Sequence, residues 1–297
     1  MFQPLQRTLS APVSFAGVGV HSGRRVRATV RPAPTDHGIV FVRTDLDGEN
    51  RVAVEPRAAL QTPLNTKLVS AAGVEVATVE HLLAAFAGLG VDNALVELDG
   101  PEAPIMDGSA EPFVKMIDRA GRRTQEAPRR YIEILQPVEV VRGDKRAALL
   151  PATGFEVAFE IDFPGSRAIG RQAIDLGVDE AAFRRELAPA RTFGFVHEVE
   201  ALRAQGLALG GGLDNAVVIE GDEILNPEGL RFAPDEFVRH KALDAIGDLY
   251  VLGAPVIGRF EGRYAGHAIN NALVRALLDQ AGAWRYRTFA TELAEAV

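Results

Sequence analysis

The order helix, strand, loop, helix occurs twice in this chain, each time opening on a histidine, and that duplication limits the fold more than any other feature. The first unit reads as a helix at 81–89, an apolar strand at 93–98, a Gly/Pro-rich loop, and a second helix ending at Ala120-Gly121. The second reads as a helix at 240–252, a strand at 255–260, a glycine-containing loop, and a helix ending at Ala281-Gly282. The two units are nearly equal in length, and strand patterns precede both, at 26–30 and 39–42 and again at 131–141 and 147–150. Strands followed by paired helices predict an α+β fold of two pseudo-repeated domains, each a β-sheet layer packed on two helices. Residues 1–122 are assigned to the first domain and 131–297 to the second. The polar segment 123–130, with Pro128, reads as the linker.

Composition narrows the function classes. A hydrophobic fraction of 47% against 24% charge gives enough apolar material for two cores. The net charge of -8, with no dense Lys/Arg run, argues against nucleic acid as a partner. With no cysteine, disulfides and thiolate metal sites are excluded, which leaves His, Asp, Glu and water as ligands. No apolar run is long enough to cross a bilayer and the amino terminus lacks a signal-peptide pattern, so the expectation is a cytoplasmic monomer without stable membrane insertion.

His240, Asp244 and Asp248 are four residues apart and stack on one face of a helix, with Leu243, Ala245, Ile246 and Leu249 as a docking stripe. That face resembles part of a metal site that lacks a ligand. Of the remaining histidines, His21, His37, His81, His197 and His267, His81 stands out because Glu80 precedes it, and Thr78 is expected to cap the helix that both begin. A Glu beside a metal-bound His is placed to act as general base, although positions 84 and 85 are Ala and the HExxH motif is incomplete. His81, His240 and Asp244 together make the two-His, one-carboxylate set suited to catalytic zinc with a position left for water. The duplication puts His81 and His240 at corresponding helix starts, and two facing domains would bring them to one cleft.

Between 193 and 218 lies an insertion-like segment: a short amphipathic helix at 196–204, then Gly206-Leu207-Ala208-Leu209 and Gly210-Gly211-Gly212. It reads either as a covered loop with a small core of its own or as a wall for an apolar ligand.

Five ordered segments carry a family resemblance over almost the whole chain. They are Thr78-Val79-Glu80-His81-Leu82, Pro104-Ile105-Met106-Asp107-Gly108-Ser109, Ala190-Arg191-Thr192-Phe193-Gly194-Phe195, the run from Phe237 through His240 to Asp248, and Gly266-His267-Ala268-Ile269-Asn270-Asn271. Together they resemble the UDP-3-O-acyl-N-acetylglucosamine deacetylases, zinc amidases of lipid A biosynthesis in Gram-negative bacteria. The resemblance implies a duplicated sandwich with an insert in each domain, an active site at the domain interface, and removal of acetate from UDP-3-O-(3-hydroxyacyl)-N-acetylglucosamine. By motif, His81, His240 and Asp244 are the ligands of one Zn2+. Glu80 is the general base toward the attacking water, His267 the acid that protonates the leaving amine, Asp248 its orienting partner, and Thr192 a donor to the oxyanion. Whether Glu80 and His267 divide the two proton roles or Glu80 fills both is left open.

The resemblance also implies that Lys241 meets substrate oxygens or phosphate. Phe193, Phe195 and Val199 belong to the acyl passage of the 193–218 insert, Phe163 lines the sugar or uracil side, and Leu64 lies at the mouth. Two positions depart from the family pattern. Asn65 stands where many members have cysteine, and the order Arg263-Tyr264-Ala265-Gly266 leaves Arg263 as a substitute for a basic residue nearer the histidine. Two other readings share these residues: a zinc amidohydrolase on another N-acyl substrate, and a non-catalytic nucleotide-sugar or lipid binding module with structural metal.

Overall fold

The computed structural model describes residues 2–289 of the 297. Among them run six α-helices: α1 (Glu80–Leu89), α2 (Glu111–Ala120), α3 (Glu180–Ala182), α4 (Val196–Ala204), α5 (Glu236–Leu249) and α6 (His267–Asp279). One five-stranded sheet has the order Val13–Val18, Arg25–Pro32, Ala94–Leu98, Ile39–Arg43, Arg51–Ala53. A seven-stranded sheet contains the matching order Val138–Arg142, Lys145–Leu150, Val256–Arg263, Phe155–Phe163, Gly170–Gly177, with Tyr131–Ile134 and Trp284–Arg287 added at one side. In both, the strand between the paired helices is antiparallel to one neighbour, pairing Ala28 with Leu98 and Leu149 with Phe260. To its other neighbour it is parallel, pairing Phe41 with Val96 and Val157 with Phe260. The repeat is therefore a property of topology as well as of order, and the fold is a two-domain α+β.

Local sequence accounts for these elements. Along Arg25–Pro32 the residues Val26, Ala28 and Val30 are buried while Arg25, Arg27 and Arg31 face out, the period-two pattern of a strand with one covered face. α1 is buried almost all round, through Leu82, Leu83, Ala84, Ala85 and Phe86, because it is covered on more than one side. It ends at Gly90, whose left-handed φ of 67° lets its N–H turn back to the carbonyl of Ala87.

α1 and α5, the counterpart helices of the two halves, pack against each other. At the crossing Gly247 is in backbone contact with α1: a Cβ there would lie 2.0 Å from the carbonyl oxygen of Glu80. No side chain fits, so the glycine sets how close the two helices come. Each half also carries a small three-stranded sheet, Ala59–Leu60 with Lys67–Val69 and Glu75–Val76 in the first, and Phe193–Phe195 with Val217–Glu220 and Glu223–Ile224 in the second.

Several sequence expectations change. The segment read as a linker is the strand Arg122–Pro128, antiparallel to Leu5–Leu9, so its polar residues alternate along an edge ladder instead of spanning solvent. The pattern at 131–141 breaks into Tyr131–Ile134 and Val138–Arg142, since Pro137 cannot donate to a ladder. The helix predicted to reach Leu252 is α-helical to Leu249, with a 3-10 turn at Tyr250–Leu252. It begins at Glu236, so His240 lies one turn inside α5 whereas His81 is the second residue of α1; the two histidines do not occupy the same helical position. Among the described residues no helix is long and apolar enough to cross a membrane.

Candidate functional site

α5 turns His240, Asp244 and Asp248 toward the start of α1, and all three are buried. The Nδ1–H of His240 donates to the carbonyl of Ala190 at 3.0 Å, which leaves the Nε2 lone pair facing Asp244. Burial pushes the imidazole down to about 3, so His240 is neutral and able to ligate. Its Nε2 is 3.3 Å from Oδ1 of Asp244, and Nε2 of His81 is 3.4 Å from the same oxygen. The three ligating atoms lie within 4.8 Å of one another. Oδ1 of Asp244 is buried and accepts no hydrogen bond, while its Oδ2 accepts from Nζ of Lys241 at 2.7 Å. Burial alone would raise this carboxyl, but Lys241, His267 and the imidazoles of His240 and His81 together outweigh it and hold the group well below the usual carboxylate range. A dry, anionic oxygen between two imidazole nitrogens is costly unless a cation is shared among them, so the donor set fits a metal ion.

Glu80 opens α1 beside His81. Its Oε2 accepts the backbone N–H of Thr66 at 3.0 Å and its Oε1 lies 3.8 Å from Nε2 of His267. Burial pushes the Glu80 carboxyl above its ordinary value. His267 begins α6, with Nδ1 at 3.0 Å from both oxygens of Asp248 and Nε2 at 3.7 Å from Oδ2 of Asp244. Burial pulls this imidazole down, yet Asp248, Asp244 and Glu80 together outweigh burial and push it up to about 9. Asp248, fully buried, also accepts from Nδ2 of Asn270 at 2.8 Å and from the hydroxyl of Thr66. Asn271 holds that hydroxyl at 3.2 Å and the His267 carbonyl at 2.9 Å. Thr66 comes from the first half and Asp248 from the second, so the cluster is assembled across the halves.

The flanks are apolar. The ring of Phe193 lies 6.4 Å from that of His240, and Phe163 is 6.0 Å from Phe193 and 6.1 Å from Phe195. Val199, on α4, packs over Gly194. No residue of α4 is buried, and Leu209 and Leu213 are 51% and 45% exposed, so the 193–218 insert presents apolar surface instead of enclosing a core of its own. Phe163, Lys241, Tyr264 and Ala265 line a cavity of about 440 Å³. Thr192 is half-buried, with its N–H on the carbonyl of Gly108 at 2.8 Å and its carbonyl receiving Val217 N–H at 2.7 Å. The backbone fixes it on both sides.

One expectation needs revision. Thr78 does not cap α1: Val79 is the residue before the helix, and Thr78, at φ +56°, donates its hydroxyl to Oε1 of Glu102 at 2.9 Å and accepts from Asn65 at 3.0 Å. Lys241 is tied to Asp244 by the 2.7 Å bond above and also lines the cavity beside Phe163. Arg263 is exposed, its guanidinium 5.0 Å over the ring of Tyr264, and Leu64 is 41% exposed. Thr66, Asn270 and Asn271 were not singled out as site residues by sequence reading, since a hydroxyl or amide has no spacing signature; their bonds to Asp248 and Thr66 reveal them.

The LpxC family, described as UDP-3-O-acyl N-acetylglycosamine deacetylase, matches residues 6–279. A UDP-3-O-acyl-N-acetylglucosamine deacetylase from Phenylobacterium zucineum is 71% identical over 98% of this chain and 99% of its own length. Proteins of the same name from Acidithiobacillus ferrooxidans and Neisseria meningitidis are each 50% identical, over 96% and 92% of this chain and 93% and 90% of their own lengths. With the duplicated α+β fold and the buried His, His, Asp cluster between its halves, the chain belongs to the UDP-3-O-acyl N-acetylglycosamine deacetylase family.

Proposed function

We propose that this protein is a zinc-dependent deacetylase acting in the cytoplasm on UDP-3-O-(3-hydroxyacyl)-N-acetylglucosamine, releasing acetate and the free amine in lipid A biosynthesis. One observation carries the reading: the unpartnered, buried Oδ1 of Asp244 lies between the Nε2 atoms of His81 and His240, with Glu80 and His267 on the same cleft. His81, His240 and Asp244 would hold the ion. When bound, zinc supplies Lewis acidity, polarising the amide carbonyl and acidifying water.

The chain's own groups do the rest. Glu80, raised by burial and held by the Thr66 N–H, takes the proton of the attacking water. His267, kept protonated by Asp248, gives a proton to the departing amine nitrogen. Thr192 donates its hydroxyl to the oxygen on which negative charge develops. Phe193, Phe195 and Val199 give the acyl chain an apolar path, Phe163 beside them lines the sugar or uracil side, and Leu64 borders the mouth. Lys241 supports Asp244 and, from the cavity it lines, also faces substrate oxygens. Arg263, whose guanidinium lies over the ring of the cavity's Tyr264, is a contact for the diphosphate. A purely structural metal would leave a buried acid and a raised imidazole beside it without a task.

The test is acetate release from the UDP-sugar. Glu80→Ala is expected to lose on the order of 10²- to 10⁴-fold in kcat with zinc binding retained. Full rate in that variant would remove Glu80 from the chemistry.

A further inference from the structure

The polar stripe of α5 has a fourth member one turn before His240. Glu236, fully buried, accepts the backbone N–H of Arg191 at 3.0 Å and its Nε at 2.8 Å on Oε1. Its Oε2 takes Nη2 of Arg191 at 3.3 Å and the backbone N–H of Arg231 at 2.5 Å. Arg191, only 2% exposed, completes its fork on Oε1 of Glu228 at 2.5 Å and the carbonyl of Gly229 at 2.6 Å. All three nitrogens of this guanidinium are engaged, but none of its contacts is with the metal cluster. What matters is its neighbours. Ala190 supplies the carbonyl that accepts the His240 Nδ1–H, and Thr192 follows directly. Residues 190–192 belong to no helix or strand; backbone bonds tie Thr192 to Gly108 and Val217, and the contacts of Arg191 with Glu236 are what tie the segment to α5.

A buried ion pair contributes little net stability, because desolvation offsets its attraction. Its benefit here is geometric: a planar fork with five donors fixes position in a way a point charge cannot. We propose that Arg191 and Glu236 are positioning residues, a clamp that registers the 190–192 segment against α5. The clamp keeps the Ala190 carbonyl on Nδ1 of His240, which turns Nε2 to the ion. The inference rests on the metal reading above.

Zinc affinity of the folded protein, measured by chelator competition, tests it, with circular dichroism to confirm folding and histidine ¹H–¹⁵N spectra to follow the His240 Nδ1–H. Arg191→Met, Arg191→Lys and the shape-preserving Glu236→Gln are each expected to weaken zinc binding about 10- to 100-fold, the range seen when support of a ligating histidine is lost. The Nδ1–H signal should lose its protection from exchange. Folded variants with wild-type zinc affinity and an unchanged Nδ1–H signal would overturn the clamp. So would wild-type affinity in Arg191→Lys, since charge alone would then suffice. Failure of the wild-type chain to bind zinc would instead sink the metal reading, and the clamp with it.

Discussion

Glu80 and His267 stand 3.8 Å apart, and the site shifts both upward by different routes: burial for the acid, three carboxylates acting against burial for the imidazole. An acid group raised in this way becomes a stronger base once ionised, and His267 stays charged at neutral pH. His267 can donate only below its own value, so deacetylation is expected to fall as pH rises through about 9, or lower once a dication sits nearby. His267→Ala should remove that basic limb from the kcat profile, and an unchanged profile would exclude His267 as the acid. At this scale the sequence was legible where chemistry has a spacing. The i, i+4 run of His240, Asp244 and Asp248 was readable, and motif resemblance divided its labour between ion and His267. Glu236, in the same register, was not, because an acid at a helix start reads equally well as a partner of the helix dipole. Thr66 was invisible, its bond to Asp248 spanning 182 residues of sequence.

At the scale of elements, the site depends on how close α5 comes to α1. Gly247 carries that burden, with the Glu80 carbonyl where its side chain would be. Gly247→Ala is expected to push the helices apart and cost about 1–3 kcal/mol from overpacking, seen as a lower Tm. The larger effect should be in kcat, because the displaced atoms belong to Glu80 itself; an alanine variant with normal rate and stability would contradict this close approach. Alternation and periodicity gave the strands and helices, and the helix at 196–204 came out with its expected bounds. The strand Arg122–Pro128 was missed, since its polar residues look like a connector until Leu5–Leu9 is seen beside it.

Across the whole molecule, the two halves are joined at both ends of α1. One end is the cluster itself, where Thr66 meets Asp248. At the other, Tyr250 donates to the carbonyl of Val91 at 2.7 Å, and beside it the buried Arg129, in the segment that connects the halves, pairs with Asp92 at 2.7 Å. Arg129→Met would strand the Asp92 carboxylate and is expected to cost about 3–5 kcal/mol of stability, read from thermal unfolding, while leaving zinc affinity of the folded chain unchanged. A change in zinc affinity there would mean that the far contact sets the metal geometry too. The duplication was legible because each copy kept its order of elements, and the cleft joining His81 and His240 followed from it; how closely the helices approach was not, since that depends on backbone contact at Gly247. The most direct test is a zinc titration of metal-free protein with acetate release from UDP-3-O-(3-hydroxyacyl)-N-acetylglucosamine as the readout. Activity should be absent without metal and rise linearly to a plateau at about one equivalent, as a single His, His, Asp site requires. Full activity without metal, or none at one equivalent, would contradict the account.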